Sequence, residues 1–280
     1  MLTVQQWYSW KKADISATSA LLEEALVPTY VPNRLTMLQS PRRNIRWAVI
    51  VLAVGAVLYG CWPRRAHLRT FAPASVGRAE AAMWRHYYDH RYPALVWRLY
   101  RLGRCEYGFS PLDSVRLAYY AGRAAQVFQP TRSRAEAQRA LPFLESYYRV
   151  ARLRGGETFD VPRVARLELE WWQLRREQAA AAKYAQVIAQ VWAQMYAVDN
   201  GDVRQAARLR ADMMDYWDER RDDKMRAEGW VHIEAGLVRS YERLRLGITT
   251  PVFRTGSTGG VTKPARTTAG TGQAMWACGP

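Results

Sequence analysis

Two histidines four residues apart, in His86-Tyr87-Tyr88-Asp89-His90, come nearest to a chemical signature in this chain. On a helix, positions i and i+4 share a face, so two imidazoles there can hold a metal ion, and Met83 would lie beside them. The pattern lacks the glutamate that follows the first histidine of a zinc-protease helix and acts as general base. No Glu-x-x-His occurs anywhere in the sequence, so a ferritin-like carboxylate centre has no ligands. Ordinary hydrogen-bonding histidines are the more economical reading. His86 and His90 stand as metal candidates on spacing alone, and no cofactor is expected.

Carboxylates also cluster around tryptophans. Glu168 and Glu170 precede Trp171-Trp172, and Asp215, Asp218 and Glu219 surround Trp217. A buried carboxyl with a raised pKa can do acid–base work. Here Arg163, Arg166, Arg175, Arg176, Arg220 and Arg221 lie close in sequence, and helix-surface ion pairs account for the acids at less cost. The stretch Gly256-Ser257-Thr258-Gly259-Gly260-Val261-Thr262-Lys263 has a phosphate-friendly look. It lacks the Gly-Lys-Ser/Thr ending of a P-loop, and no strand precedes it and no helix follows. With no nucleophile constellation either, the chain is read as having no enzymatic activity.

Composition narrows the alternatives. The 280 residues carry 41 Lys+Arg against 25 Asp+Glu, a formal charge of +16, and 49% hydrophobic residues, which excludes a disordered polyelectrolyte. Twelve Trp and 16 Tyr against six Phe favour side chains with an apolar body and a polar tip, as interfaces do. The arginines are spread over the whole chain and mixed with acids, and no recognition motif appears, so nucleic acid is an unlikely partner. Anionic lipid headgroups and neighbouring subunits are the expected partners of the charge. Cys61, Cys105 and Cys278 are odd in number and far apart. They make no metal pair and no disulfide framework, although one pair could bridge.

The elements that would position these residues are helices. Trp47 to Trp62 reads as 16 residues without a charge, and the sequence predicts a transmembrane helix over 44–63. Trp47 and Trp62 would be its aromatic belts, with Arg46, Arg64 and Arg65 snorkelling outward and Pro63 as the stop. Such an anchor implies a single-pass protein of a bacterial inner membrane. The local arginine count is balanced across the span, and the positive body leans to the cytoplasmic side. Leu58-Tyr59-Gly60-Cys61 is similar to a lipoprotein box, with an atypical Tyr. After a linker over 64–74, residues 75–246 are predicted to form an all-α bundle of about seven helices. Its punctuation is Ser75, Pro93, the box Ser110-Pro111-Leu112-Asp113, Gln129-Pro130, the box opened by Ser133, Gly155-Gly156, Asp160 and Asp199-Asn200-Gly201-Asp202. Pro142 is expected to kink or divide one helix. The ends read as extensions: 1–43, with an amphipathic stretch from Ile15 to Leu26, and a Gly/Thr-rich tail, 247–280, without an acid. That tail cannot build a core, and its beads Phe253, Met275 and Trp276 are expected partner contacts.

The segments AEAAMWRHYYDHRYPALVWRLYRLGRCEYGFSPLDSVRLAYYAGRAAQVFQPTRSRAEAQRALPFLE and RLELEWWQLRRE resemble a group of uncharacterised bacterial helical proteins over residues 78–246. The resemblance implies a bacterial helical domain and carries over no functional residue. The expected function is therefore a non-catalytic accessory subunit that stabilises a larger membrane complex, respiratory or photosynthetic by preference, with its termini strapping neighbours. A tethered metal protein using His86 and His90, or a transient assembly factor, are the alternatives.

Overall fold

The computed structural model describes residues 41–62, 64–220 and 227–249, and every regular element among them is a helix. The chain divides into two units between Tyr59 and Gly60.

The first unit contributes all but the last two residues of helix α1, Pro41–Cys61. The transmembrane helix expected over 44–63 is corrected here: among the described residues, no helix is long and apolar enough to cross a membrane. The reason is length. Arg42, Arg43 and Arg46 occupy the start of α1 and leave 15 uncharged residues, Trp47 to Cys61. At ~1.5 Å per residue these extend about 22 Å, against ~30 Å of hydrocarbon. The flanking residues invoked as compensation add no apolar length. Trp47, Trp62, Arg46 and Arg65 are exposed and Arg64 is half-buried.

The second unit is the helical body. It contains α2 (Pro73–Tyr88), α3 (Tyr92–Arg101), α4 (Pro111–Phe128), the single turn α5 (Arg134–Ala137), α6 (Leu141–Gly155), α7 (Val161–Arg176), α8 (Ala181–Tyr196), α9 (Gly201–Asp218) and α10 (Ala227–Thr249). Local sequence explains the boundaries. Ser110, Ser133, Asp160 and Asn200 each accept a hydrogen bond from the backbone N–H three residues on, at 3.0–3.1 Å, satisfying a donor that the helix start leaves free. Pro142 divides its helix as anticipated: a 3₁₀ turn, Gln138–Ala140, separates α5 from α6. Gly156, with φ +69°, ends α6 in the left-handed conformation. Ser75 does not cap. It lies inside α2, where its hydroxyl donates to Glu106 in the π-helical turn Leu102–Glu106 that continues α3.

Successive helices pack on one another, and α10 returns to pack on α2 about as extensively as on α9. The α2–α10 seam is close and antiparallel. Tyr241 donates to Glu80, Arg245 donates to the Phe71 carbonyl, and a Cβ on Gly77 would lie 2.7 Å from the Val238 backbone. Only glycine fits there. The largest core cluster, around Leu144, Leu169, Tyr184, Ile188 and Met214, fills the space between α6, α7, α8 and α9. A second, with Phe71, Phe109, Leu117, Val203 and Leu244, lies where residues 69–71 and 245–248 are joined. A third, Ala81, Met213, Ile233 and Leu237, lies between α2, α9 and α10.

Candidate functional site

The structure separates the two histidines that spacing brought together. α2 ends at Tyr88, so His86 is helical while His90 lies beyond the end with φ +58°, and they do not share a helical face. His90 Nδ1 is 3.2 Å from the Tyr92 hydroxyl. His86 Nδ1 is buried without a hydrogen-bond partner. Burial, then the nearby Arg91 and Arg98 charges, hold its pKa below the ordinary histidine value. Among the described residues, no group of three His, Cys, Asp or Glu side chains could hold a metal ion.

The carboxylates around the tryptophans are engaged in pairs. Glu170 faces Arg134 at 2.9 Å, Asp218 accepts from Arg175 Nε at 3.0 Å, and Glu219 lies 2.7 Å from Arg220. Glu168 accepts from the Tyr148 hydroxyl at 2.9 Å and from Trp172 Nε1 at 3.0 Å. Asp215 is raised, by burial first and then by the Glu219, Asp218 and Asp212 charges. Among the described residues two acids are enclosed: Asp113, which belongs to the capping box of α4 and pairs with Arg154 at 3.0 Å, and Glu80, which sequence reasoning passed over. Glu80 on α2 is buried; Arg210 on α9 donates to its Oε1 through Nε at 3.0 Å and Nη2 at 2.7 Å, while Tyr241 donates to Oε2. This triad joins α2, α9 and α10 with its strongest valences satisfied. Oε1 accepts two of these bonds and Oε2 one, an arrangement that fixes helix register. A spacing rule could not find it, because its members are up to 161 residues apart.

The surface depressions offer no better. One is lined by Arg152, Glu157 and Phe159, and another, between α8 and α9, by Gln186, Gln190, Arg204 and Arg208. Neither joins an acid–base pair to a nucleophile.

The exposed apolar surface is the more distinctive feature. On α1 all ten large apolar side chains from Ile45 to Tyr59 are exposed, Leu52 to 73% of its full area. α3 has no buried residue at all. Its Trp97 is 58% exposed and stacks on Tyr100 at 5.2 Å, and Val96 is 46% exposed. On α4, against which α3 packs, Val115 and Tyr119 are exposed one turn apart. The signal for α3 was present in the sequence: from His90 to Cys105 there are four arginines, two tyrosines, a tryptophan and no acid.

Cys105, in the π-helical turn after α3, is disulfide-bonded. The expected partner contacts Phe253, Met275 and Trp276, the glycine-rich stretch 256–263 and the amphipathic stretch from Ile15 to Leu26 lie outside the described residues. No family model, no curated protein and no solved structure matches the chain.

Proposed function

We propose that the protein is a non-catalytic accessory subunit that stabilises a larger membrane protein complex, and that α1 is the element its partner subunits cover. The observation that carries this reading is the uniform exposure of α1. A helix apolar around its whole circumference has no polar face to turn to water, and large exposed apolar patches mark interaction sites. Burying a large aliphatic or aromatic side chain contributes roughly 1.5–3 kcal/mol. Covering half of the ten exposed on α1 therefore contributes on the order of 10 kcal/mol before the cost of association. The body acts by scaffolding, and the Gly/Thr-rich tail with Phe253, Met275 and Trp276 supplies a second contact by the same reading.

The test is mild detergent extraction of native membranes, then native electrophoresis with mass spectrometry following this chain. Comigration with a large assembly at fixed stoichiometry is expected. Migration as a small free species, or recovery at a few per cent of the other subunits, overturns the reading. A chain shortened to begin at Arg64 should keep its body folded and leave the assembly.

A further inference from the structure

We infer that α3 is an interfacial helix that lays its Val96–Trp97–Tyr100 strip onto an anionic lipid surface. At 100° per residue, Val96, Tyr100 and Trp97 fall within one arc about 100° wide, and Arg101 and Arg98 continue around the same side. Leu95 and Leu99, half-buried, take the other side, and Tyr92 lies between Leu99 and Val96. Val96 and Trp97 are exposed and Tyr100 is half-buried, so the arc faces outward at its Val96–Trp97 part, bordered along one edge by guanidinium groups. Tryptophan and tyrosine beside arginine are the side chains that settle at the boundary between headgroups and acyl chains, with the ring inside and the charge among the phosphates.

Charge complementarity selects the occupant. Arg91, Arg98, Arg101 and Arg104 lie along α3 and its continuation. Arg91 pairs with Asp89 at 2.5 Å and Arg104 donates to the Phe109 carbonyl. The sequence has no acid between Asp89 and Glu106, so positive charge is in excess along this edge. After burial, the Arg91 and Arg98 charges also lower the pKa of the neighbouring His86. A second copy of the chain would bring like charges together across the strip, at +16 for each molecule. An acidic protein would meet the charge, but the strip is the outer side of a single helix, and the two depressions described above lie on α6 to α9. A flat anionic surface that accepts rings to shallow depth fits without a shaped recess. The inference uses nothing from α1 and does not rest on the accessory-subunit reading, which could fail while this one holds.

The test uses the full chain with vesicles of phosphatidylcholine alone and of phosphatidylcholine with 30% phosphatidylglycerol whose acyl chains are brominated to quench nearby tryptophan. Four proteins are compared: unmodified, Trp97→Phe, Arg98→Gln, and Arg163→Gln as a charge-matched control on α7, where Arg163 is exposed. Anionic vesicles should quench the unmodified chain more than Trp97→Phe. Arg98→Gln should weaken vesicle binding about fivefold, since one basic residue near an anionic surface contributes about a factor of five, while Arg163→Gln changes it less than twofold. Equal quenching of the unmodified chain and Trp97→Phe overturns the inference, as do equal losses in the two arginine variants or binding indifferent to phosphatidylglycerol. A Trp97 response to polyglutamate with none to vesicles assigns the strip to an acidic protein instead. Should Arg98→Gln melt early, Trp97→Phe keeps an exposed ring in place and still decides the outcome.

Discussion

The run from Trp47 to Cys61 of α1 and the whole of α8 are both apolar and nearly free of charge, yet they meet opposite fates. α8 reads AAKYAQVIAQVWAQMY, with Lys183, Gln186, Gln190 and Gln194 returning at three- and four-residue intervals, so Tyr184, Ile188 and Val191 line one face and are buried. In α1 the run from Trp47 to Cys61 has no polar residue at any such interval, and its large side chains are exposed on every side. Apolar content alone therefore does not place a helix in a core. A polar stripe tells the helix which way to face, and without one it presents apolar surface in all directions.

The comparison can be broken or sharpened by experiment. The body should be most sensitive at the enclosed Glu80–Arg210 pair. Removing the carboxylate by Glu80→Ala leaves Arg210 and Tyr241 facing an apolar void and should cost about 3–5 kcal/mol in urea denaturation, whereas the double change Glu80→Met with Arg210→Met should recover most of that. Full recovery failing would make the triad a net source of stability. Next, Ile188→Ala on α8 should cost about 2–5 kcal/mol, and Leu52→Ala on α1 less than about 0.5 kcal/mol in the free chain. Equal losses would end the contrast between the two helices. In the assembled complex, Leu52→Ala should instead lower retention.

Gly77→Ala should cost about 1–3 kcal/mol, because its methyl group can be accommodated only by prising α2 from α10. Thermal melting would show it. A smaller effect comes with alkali. Burial pushes the Tyr147 hydroxyl up to about 12, and Tyr148 and Tyr241 are raised as well. Raised in the folded state, these groups contribute stability that is complete below the unfolded value near 10 and lost as pH climbs towards 12. Absorbance at 295 nm should show their ionisation coinciding with unfolding. The least effect is at His86. Its folded pKa is lowered, so the unfolded chain binds the proton more readily and stability falls as pH drops through about 6.5. His86→Gln should flatten the melting temperature between pH 5 and 7.

Much of the body was legible because its signals are local. Ser110, Asp160 and Pro142 each act on the turn that contains them, so the sequence states their role without any knowledge of the fold. The π-helical turn after α3, the Gly77 contact and the Glu80 triad were not legible, since each depends on partners brought from far along the chain. His90 shows the opposite error. The i, i+4 rule assumes that the helix continues, and the left-handed residue after Asp89 ends that assumption. For α1, hydropathy identified the helix, but flanking arginines were counted as if they lengthened its apolar span.

The seam between α2 and α10 also decides how the molecule bears tension. Arg69 donates to the Ile248 carbonyl at 3.1 Å and Arg245 to that of Phe71, so residues 69–71 and 245–248 are joined at one place. A pull applied through both ends would open the two antiparallel helices from that place like a zip, one contact at a time, while the remaining helices carried no load. Anything tethered at both ends of this chain is thus held through its weakest mechanical direction. The first event under strain would be release of α10, with the largest core cluster, centred on α6 to α9, still closed.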